Sequence, residues 1–177
     1  RQMCIRDRDE LVHTHPETAI TLLEKALAAD RKSVRATILL GDTQLAQGDT
    51  ESALLTWRRV EHQSVPHVAL VAQRLMDGYR TVGRAQEGVN LLKFYLAEAS
   101  SIDLLEVVFK AVLELEGVEA ANQMVSDELR RTPTLLGLDK LLEARLLEAP
   151  PEMRSELSLV KNCLLYTSDA ADEGLGV

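Results

Sequence analysis

The residue types able to carry chemistry are thinly spread along this chain of 177 residues. His13 and His15 form a His-x-His pair, a spacing that can put two imidazoles on one metal ion from an extended segment. No third or fourth ligand stands near them, and the pair reads as solvent-exposed histidines ahead of the first reliable helix. His62 and His67 flank the Val65-Pro66 junction and read as loop residues. No serine nucleophile elbow, phosphate-binding loop or clustered zinc-ligand pattern occurs. Glu106, Glu114, Glu116 and Glu119 fall on helix faces and a turn, where nothing localises the burial that would split two carboxylates into an acid and a base. Arg58-Arg59 and Arg130-Arg131 stand near the ends of second helices, where a cation complements the negative helix terminus. The functional alternative for these pairs is contact with an acidic partner segment. The chemistry legible here is therefore that of a binding surface.

Composition agrees. A net charge of -8 argues against a surface for nucleic-acid phosphates. Hydrophobic residues make up 46% of the chain and aromatic ones 3%, so a core must come from Leu, Val, Ile and Ala, as in helical repeats. No run approaches the roughly 18 consecutive apolar residues of a spanning helix, and the chain reads as soluble, without membrane contact of its own. Cys4 and Cys163 lie in end segments, RQMCIRDR and CLLYTSDAADE, that match nothing between them and resemble translated sequencing-adapter DNA. Residues 1–8 and 163–177 are accordingly set aside, and neither cysteine supports disulfide, zinc or thiol chemistry.

The elements that would position a binding surface are clearest over residues 36–60, ATILLGDTQLAQGDTESALLTWRRV. This reads as two antiparallel helices joined at Gly48. Two helices approach closely only where a side chain is nearly absent, and Gly41 with Ala53 supplies that crossing, with Leu40 and Trp57 filling the space beside it. Trp57 reads as core packing; its alternative is a recognition aromatic. The glycine at the turn recurs, since Gly83 lies 35 positions after Gly48 and Gly117 lies 34 after Gly83. The small crossing residue recurs as Gly88, and at Ala120 and Ala121 with a slip of one or two residues. Helices are expected over residues 16–29, 35–47, 50–61, from Pro66 through Tyr79, 88–98, 102–115, 118–131, 135–147 and from Pro151 to residue 162.

The fold class is thus all-α, a tetratricopeptide-like solenoid of antiparallel helix pairs over residues 9–162, about four units with the first and last incomplete. Roughly eight helices and no sheet are expected. One such pair cannot bury its own apolar face, so neighbours must stack on it. Such stacks hold a protein or peptide in a groove lined mostly by first helices. Asp42, Gln44, Gln73, Arg74, Asp77 and Arg80, polar residues on those helices, are the candidates for that groove.

Read together, TAITLLEKALAADRKSVRATILLGDTQLAQGDTESALLTWRRV, LMDGYRTVGR and DELRRTPTLLGLDKLLEARL resemble the repeat region of the lipopolysaccharide assembly protein B family of Gram-negative bacteria, over about residues 14–162. The specificity lies in the ordered series of degenerate repeats, above all LRRTPT followed by a Leu-rich helix. The resemblance implies a non-enzymatic adaptor that regulates lipopolysaccharide synthesis, presenting the committed-step deacetylase to a membrane protease on the cytoplasmic face of the inner membrane. It also implies an upstream membrane helix, and a downstream rubredoxin-like module that holds zinc or iron through four cysteines. Both lie outside these residues, which would themselves bind no cofactor and read as a fragment. The alternative is an unrelated tetratricopeptide interaction scaffold.

Overall fold

A computed structural model of the chain describes residues 16–173, with side chains through residue 163. The segment 1–8, His13 and His15 lie outside the described residues. Among those described there is helix and no strand. In chain order the helices are α1 (Pro16–Ala29), α2 (Val34–Ala46), α3 (Thr50–Arg58), α4 (Val60–Gln63), a 3-10 turn (Val65–Val68), α5 (Ala69–Thr81), α6 (Ala85–Glu98), α7 (Ile102–Leu115), α8 (Val118–Arg131), α9 (Leu135–Glu148) and α10 (Pro151–Glu173). Contacts divide the chain into two compact units, Arg1–Leu104 and Leu105–Val177.

In the first unit the longer helices pack in succession: α2 on α1, α3 on α2, α5 on α3 and α6 on α5. The packing follows from two glycine roles. At the turns, Gly48 and Gly83 have φ of +86° and +73°, and the next residue reaches back across the helix end, Asp49 N–H to Gln44 O at 3.0 Å and Arg84 N–H to Tyr79 O at 2.8 Å. A left-handed residue closing a helix this way satisfies carbonyls that would otherwise lack partners. At the crossings glycine supplies space. A Cβ on Gly41 would lie 2.3 Å from Trp57 Nε1, and one on Gly78 would lie 2.8 Å from Leu54 Cδ2 and 3.5 Å from Trp57 Cζ3. The indole is thus held between a glycine of its own hairpin and one of the next. Trp57 is 0% exposed, beside fully buried Ala53, and its Nε1 donates to Ile38 O at 3.4 Å. Gly88 makes room in the same way for Tyr79, whose Cβ would lie 2.9 Å from an added methyl group.

Several boundaries differ from the sequence reading: α6 begins at Ala85 rather than Gly88, and the larger change is at the hairpin junction. The second helix of the best-preserved hairpin does not run unbroken over 50–61; it pauses at Arg59 and restarts as the short α4. Pro66 then sits in the 3-10 turn, ahead of α5. Proline at an early position of that turn costs no ladder hydrogen bond. Ser64, extended at φ -168° and ψ 108°, takes up the change of direction.

In the second unit α9 packs on both α8 and α10. Gly137 lies against Leu129 of α8, with an added Cβ placed 2.8 Å from Leu129 Cδ2. The residue at the expected small position, Asn122, is buried beside fully buried Ala121 and donates through Nδ2 to Glu148 Oε2 of α9 at 2.6 Å. Helix α10 starts at Pro151 as expected and continues to Glu173, through residues set aside in the sequence reading; Cys163 on it is exposed.

Candidate protein-interaction face

The candidate residues of the first unit stand on the first helices of consecutive hairpins, α2 and α5. Helix α5 buries Val71, Ala72, Leu75, Met76, Gly78 and Tyr79. With 3.6 residues per turn, a stripe buried at those positions turns Gln73, Arg74 and Asp77 outward, and all three are exposed. Asp42 occupies the corresponding flank of α2, between buried Gly41 and Thr43.

Two polar groups result. Arg74 reaches across to α2, donating from Nε to Asp42 Oδ1 at 2.7 Å and from Nη2 to Asp42 Oδ2 at 3.1 Å. This is the two-pronged geometry for which guanidinium and carboxylate are matched. Its third nitrogen donates to Leu70 O at 3.0 Å. Along α5, the Gln73 amide donates to both oxygens of Asp77 at 2.9 and 3.0 Å, and Arg80 Nη1 donates to Asp77 Oδ1 at 3.1 Å. Gln44 does not join either group. Its Oε1 accepts from Thr56 Oγ1 at 2.7 Å, which turns it into its own hairpin. The face therefore offers two carboxylates and two guanidiniums already neutralised in pairs, beside half-exposed Leu70.

Other polar residues tie the hairpins together and carried no motif. Arg84 Nη2 donates to Glu51 Oε2 at 3.0 Å, and the Arg84 guanidinium lies over the Tyr79 ring at 5.6 Å. The Tyr95 hydroxyl donates to Glu61 Oε2. Burial, and then the Glu61 carboxylate, push the Tyr95 pKa well above the ordinary phenol range, so it serves as a permanent donor. Gln63 Nε2 donates to Thr37 Oγ1 at 2.7 Å and to Arg31 O at 2.8 Å. In the second unit, Gln123, Asp127 and Arg130 repeat the Gln73, Asp77 and Arg80 arrangement, with bonds of 2.9 to 3.0 Å. The spacing Gln-x-x-x-Asp-x-x-Arg, present twice in the sequence, was the signal for it. Glu128, 2% exposed, is paired with Arg131 of the same helix.

Among the described residues no group of three or more His, Cys, Asp or Glu side chains could hold a metal ion. No described helix is long and apolar enough to cross a membrane. His62 and His67 stay at the surface of the hairpin junction, His67 Nδ1 lying 2.6 Å from Ser64 Oγ.

Comparison with known proteins agrees with this architecture. The tetratricopeptide repeat family model matches residues 14–73. Lipopolysaccharide assembly protein B of Escherichia coli strain K12 is 31% identical over 145 residues, and its counterpart in Escherichia coli O157:H7 matches equally. The match covers 81% of this chain and 37% of those relatives, so the chain spans little more than a third of their length. Among solved structures, that of MamA superposes with a TM-score of 0.57 at 15% identity, covering 98% of this chain and 99% of that one. A putative kinesin light chain from Podosopora anserina, with nearly identical TPR-like repeats, gives 0.55 at 17% identity, covering 93% and 96%. These likenesses show the fold alone: the chain is a tetratricopeptide-like array of helix pairs, and its sequence is similar to lipopolysaccharide assembly protein B over little more than a third of that protein's length.

Proposed function

We propose that this chain is the client-holding array of a non-enzymatic adaptor that regulates lipopolysaccharide synthesis, presenting the committed-step deacetylase to a membrane protease. The sequence match to lipopolysaccharide assembly protein B carries the reading. The exposed polar face of α2 and α5 supports it physically, because repeat arrays hold partners on side chains that the core leaves free. In this reading the array works at the cytoplasmic face of the inner membrane, and zinc or iron belongs to a rubredoxin-like module outside these residues. The groove consists of Asp42, Gln73, Arg74, Asp77 and Arg80. Since Asp42 with Arg74, and Asp77 with Arg80, are already paired, a client must exchange or bridge these pairs rather than meet a bare charge.

The test is co-purification of the tagged chain with the deacetylase and, separately, with the protease. Capture of the deacetylase by the wild-type chain, reduced at least about ten-fold by Arg74→Glu or Arg80→Glu, supports the reading; one lost client contact of about 1.4 kcal/mol suffices for that change. Capture of neither protein sinks it, and capture that both substitutions leave unchanged moves the interface off this face.

A further inference from the structure

The last helix of the second unit is held differently from every neighbour it has there. Helix α8 buries Ala121, Asn122, Val125 and Glu128, and α9 buries Gly137 and Ala144. Over residues 151–163, α10 buries no side chain; Leu157 and Lys161 are half-buried, while Met153, Leu159 and Val160 are 52%, 65% and 51% exposed. Among the described residues its attachment to α9 combines half-buried Leu157 with ion pairs. Lys161 Nζ lies 3.7 Å from Asp139 Oδ1 and 3.6 Å from Glu143 Oε2. Near the start of α10, Arg154 Nε donates to Ala149 O at 2.9 Å. Arg154, Leu157 and Lys161 are three and four positions apart, so they share the side turned to α9.

On the α9 side the two carboxylates are shared between Lys161 of α10 and Lys140 of α9. Asp139 is 14% exposed; its Oδ1 is buried without a hydrogen bond and lies nearest the Lys161 ammonium, while its Oδ2 lies 4.0 Å from Lys140 Nζ. Lys140, 12% exposed, donates to Glu143 Oε2 at 3.0 Å and stands 5.6 Å from the Phe109 ring centroid. The Asp139, Lys140, Glu143 and Lys161 group is an alternating charge lattice with Lys161 as its one member on α10. Apolar burial is insensitive to added salt on this scale, whereas partly exposed ion pairs weaken as the screening length falls from about 10 Å at 0.1 M to about 3 Å at 1 M.

We propose that α10 is a displaceable strap over one face of α9, latched by Lys161 on Asp139 and Glu143. Its release uncovers those two carboxylates together with Leu142 and Leu146, which lie on the same stripe of α9. An element whose described side chains, residues 151–163, are none of them fully buried opens without the rest of its unit, and ionic strength sets how often.

Amide hydrogen exchange of the whole chain tests this, comparing low salt with 1 M NaCl. The expected result is an increase of about ten-fold in exchange of α10 amides at high salt, with α8 and α9 changing by less than about two-fold. Lys161→Met is expected to reproduce the fast exchange at low salt and remove the salt response. Leu157→Ala is the control: it speeds α10 exchange at every salt concentration and keeps the response. Salt-independent α10 exchange in the wild-type chain overturns the proposal, as does a Lys161→Met chain that keeps slow α10 exchange. Loss of protection throughout α8 and α9 in Lys161→Met also overturns it, because Lys161 would then hold the unit rather than the strap.

Discussion

Replacing Gly41 by alanine sets two effects of opposite sign against each other. In an open helix interior the change would stabilise by about 0.8–1 kcal/mol, the difference in helix propensity. Here the new methyl carbon would lie 2.3 Å from Trp57 Nε1, 2.5 Å from Cδ1 and 2.8 Å from Cε2. The obstacle is a rigid ring and not the far end of a flexible chain, and Gly78 with Leu54 closes the opposite side. Overpacking of this kind costs about 1–3 kcal/mol. Displacing the indole also strains the Nε1 bond to Ile38 O, about 1 kcal/mol more. Overpacking wins, and Gly41→Ala is expected to destabilise the first unit by about 1–3 kcal/mol net. Trp57 is the one tryptophan of the sequence, so its fluorescence during urea unfolding reports this hairpin directly, with helical circular dichroism alongside. The second half of the test places Gly41→Ala on a Trp57→Phe background. The smaller ring removes Nε1 and Cε2, and the alanine should then cost less than about 0.5 kcal/mol or stabilise, a coupling that only direct contact produces. An alanine that stabilises the wild-type chain, or costs the same on both backgrounds, would refute the account of Gly41 as the seat of the indole.

The remaining expectations concern the turn, the buried acid and the helix cap. Gly83→Ala places a side chain at φ +73°, and should cost about 1–2 kcal/mol in urea unfolding although nothing lies within 4 Å of the new methyl group; an unchanged midpoint would show that the turn relaxes. Glu128→Gln keeps the shape of a buried side chain and lets half-exposed Arg131 turn to water, so a change within about 1 kcal/mol is expected. Arg131→Ala instead strands a buried carboxylate whose Oε1 already lacks a partner, at about 1–3 kcal/mol after discounting for the exposure of the arginine; the reverse order of the two variants would contradict the pairing. The hydrogen bond from Ser52 holds the Asp49 carboxyl below its ordinary pKa of 3.8. A depressed carboxylate pKa contributes stability that is present above 3.8 and lost as pH falls through the folded value. Asp49→Asn should therefore flatten that part of the acid unfolding curve, measured by circular dichroism from pH 5 downward, and an unaltered curve would mean that the cap does not titrate.

What the sequence conveys about this fold is its periodicity. The 3.6-residue apolar stripes locate α7 and α8 to the residue, because each starts after a turn and carries buried positions at regular spacing. The pause at Arg59 is not legible that way, since Val60 continues the stripe and only the later geometry of Ser64 and Pro66 requires a change of direction. Crossing residues were legible in type and not in partner. Gly41 marks a close approach with Trp57 beside it, but that the indole itself fills the space over Gly41, rather than Ala53, and that Gly78 lies behind it, is set by the packing. The candidate face was legible where exposure alone decides, at Gln73, Arg74 and Asp77. It was not at Gln44, whose direction is set by one hydrogen bond to Thr56. Lys161, Asp139 and Glu143 escaped notice because their pairing joins helices whose facing sides cannot be read from either one.

The polar ties of the first unit also bear on how degenerate repeats keep their order. Asp42 with Arg74, Glu51 with Arg84 and Glu61 with Tyr95 are separated by 32, 33 and 34 residues, one repeat each. In all three the acid belongs to the earlier hairpin and the donor to the later one. The two exposed ion pairs each add about 0–1 kcal/mol and the Tyr95 hydrogen bond about 1 kcal/mol, less than burial of Trp57, Leu75 or Leu92, so the ties do not explain why the hairpins stack. They bear instead on which hairpin stacks on which side. Apolar surfaces of Leu and Val are interchangeable between units, whereas a hairpin with acids on its leading edge and donors on its trailing edge rejects a reversed or duplicated neighbour by leaving charges unmatched. A chain that has lost most of its aromatic repeat signature can thus hold one register, with specificity moved from the core to its polar seams.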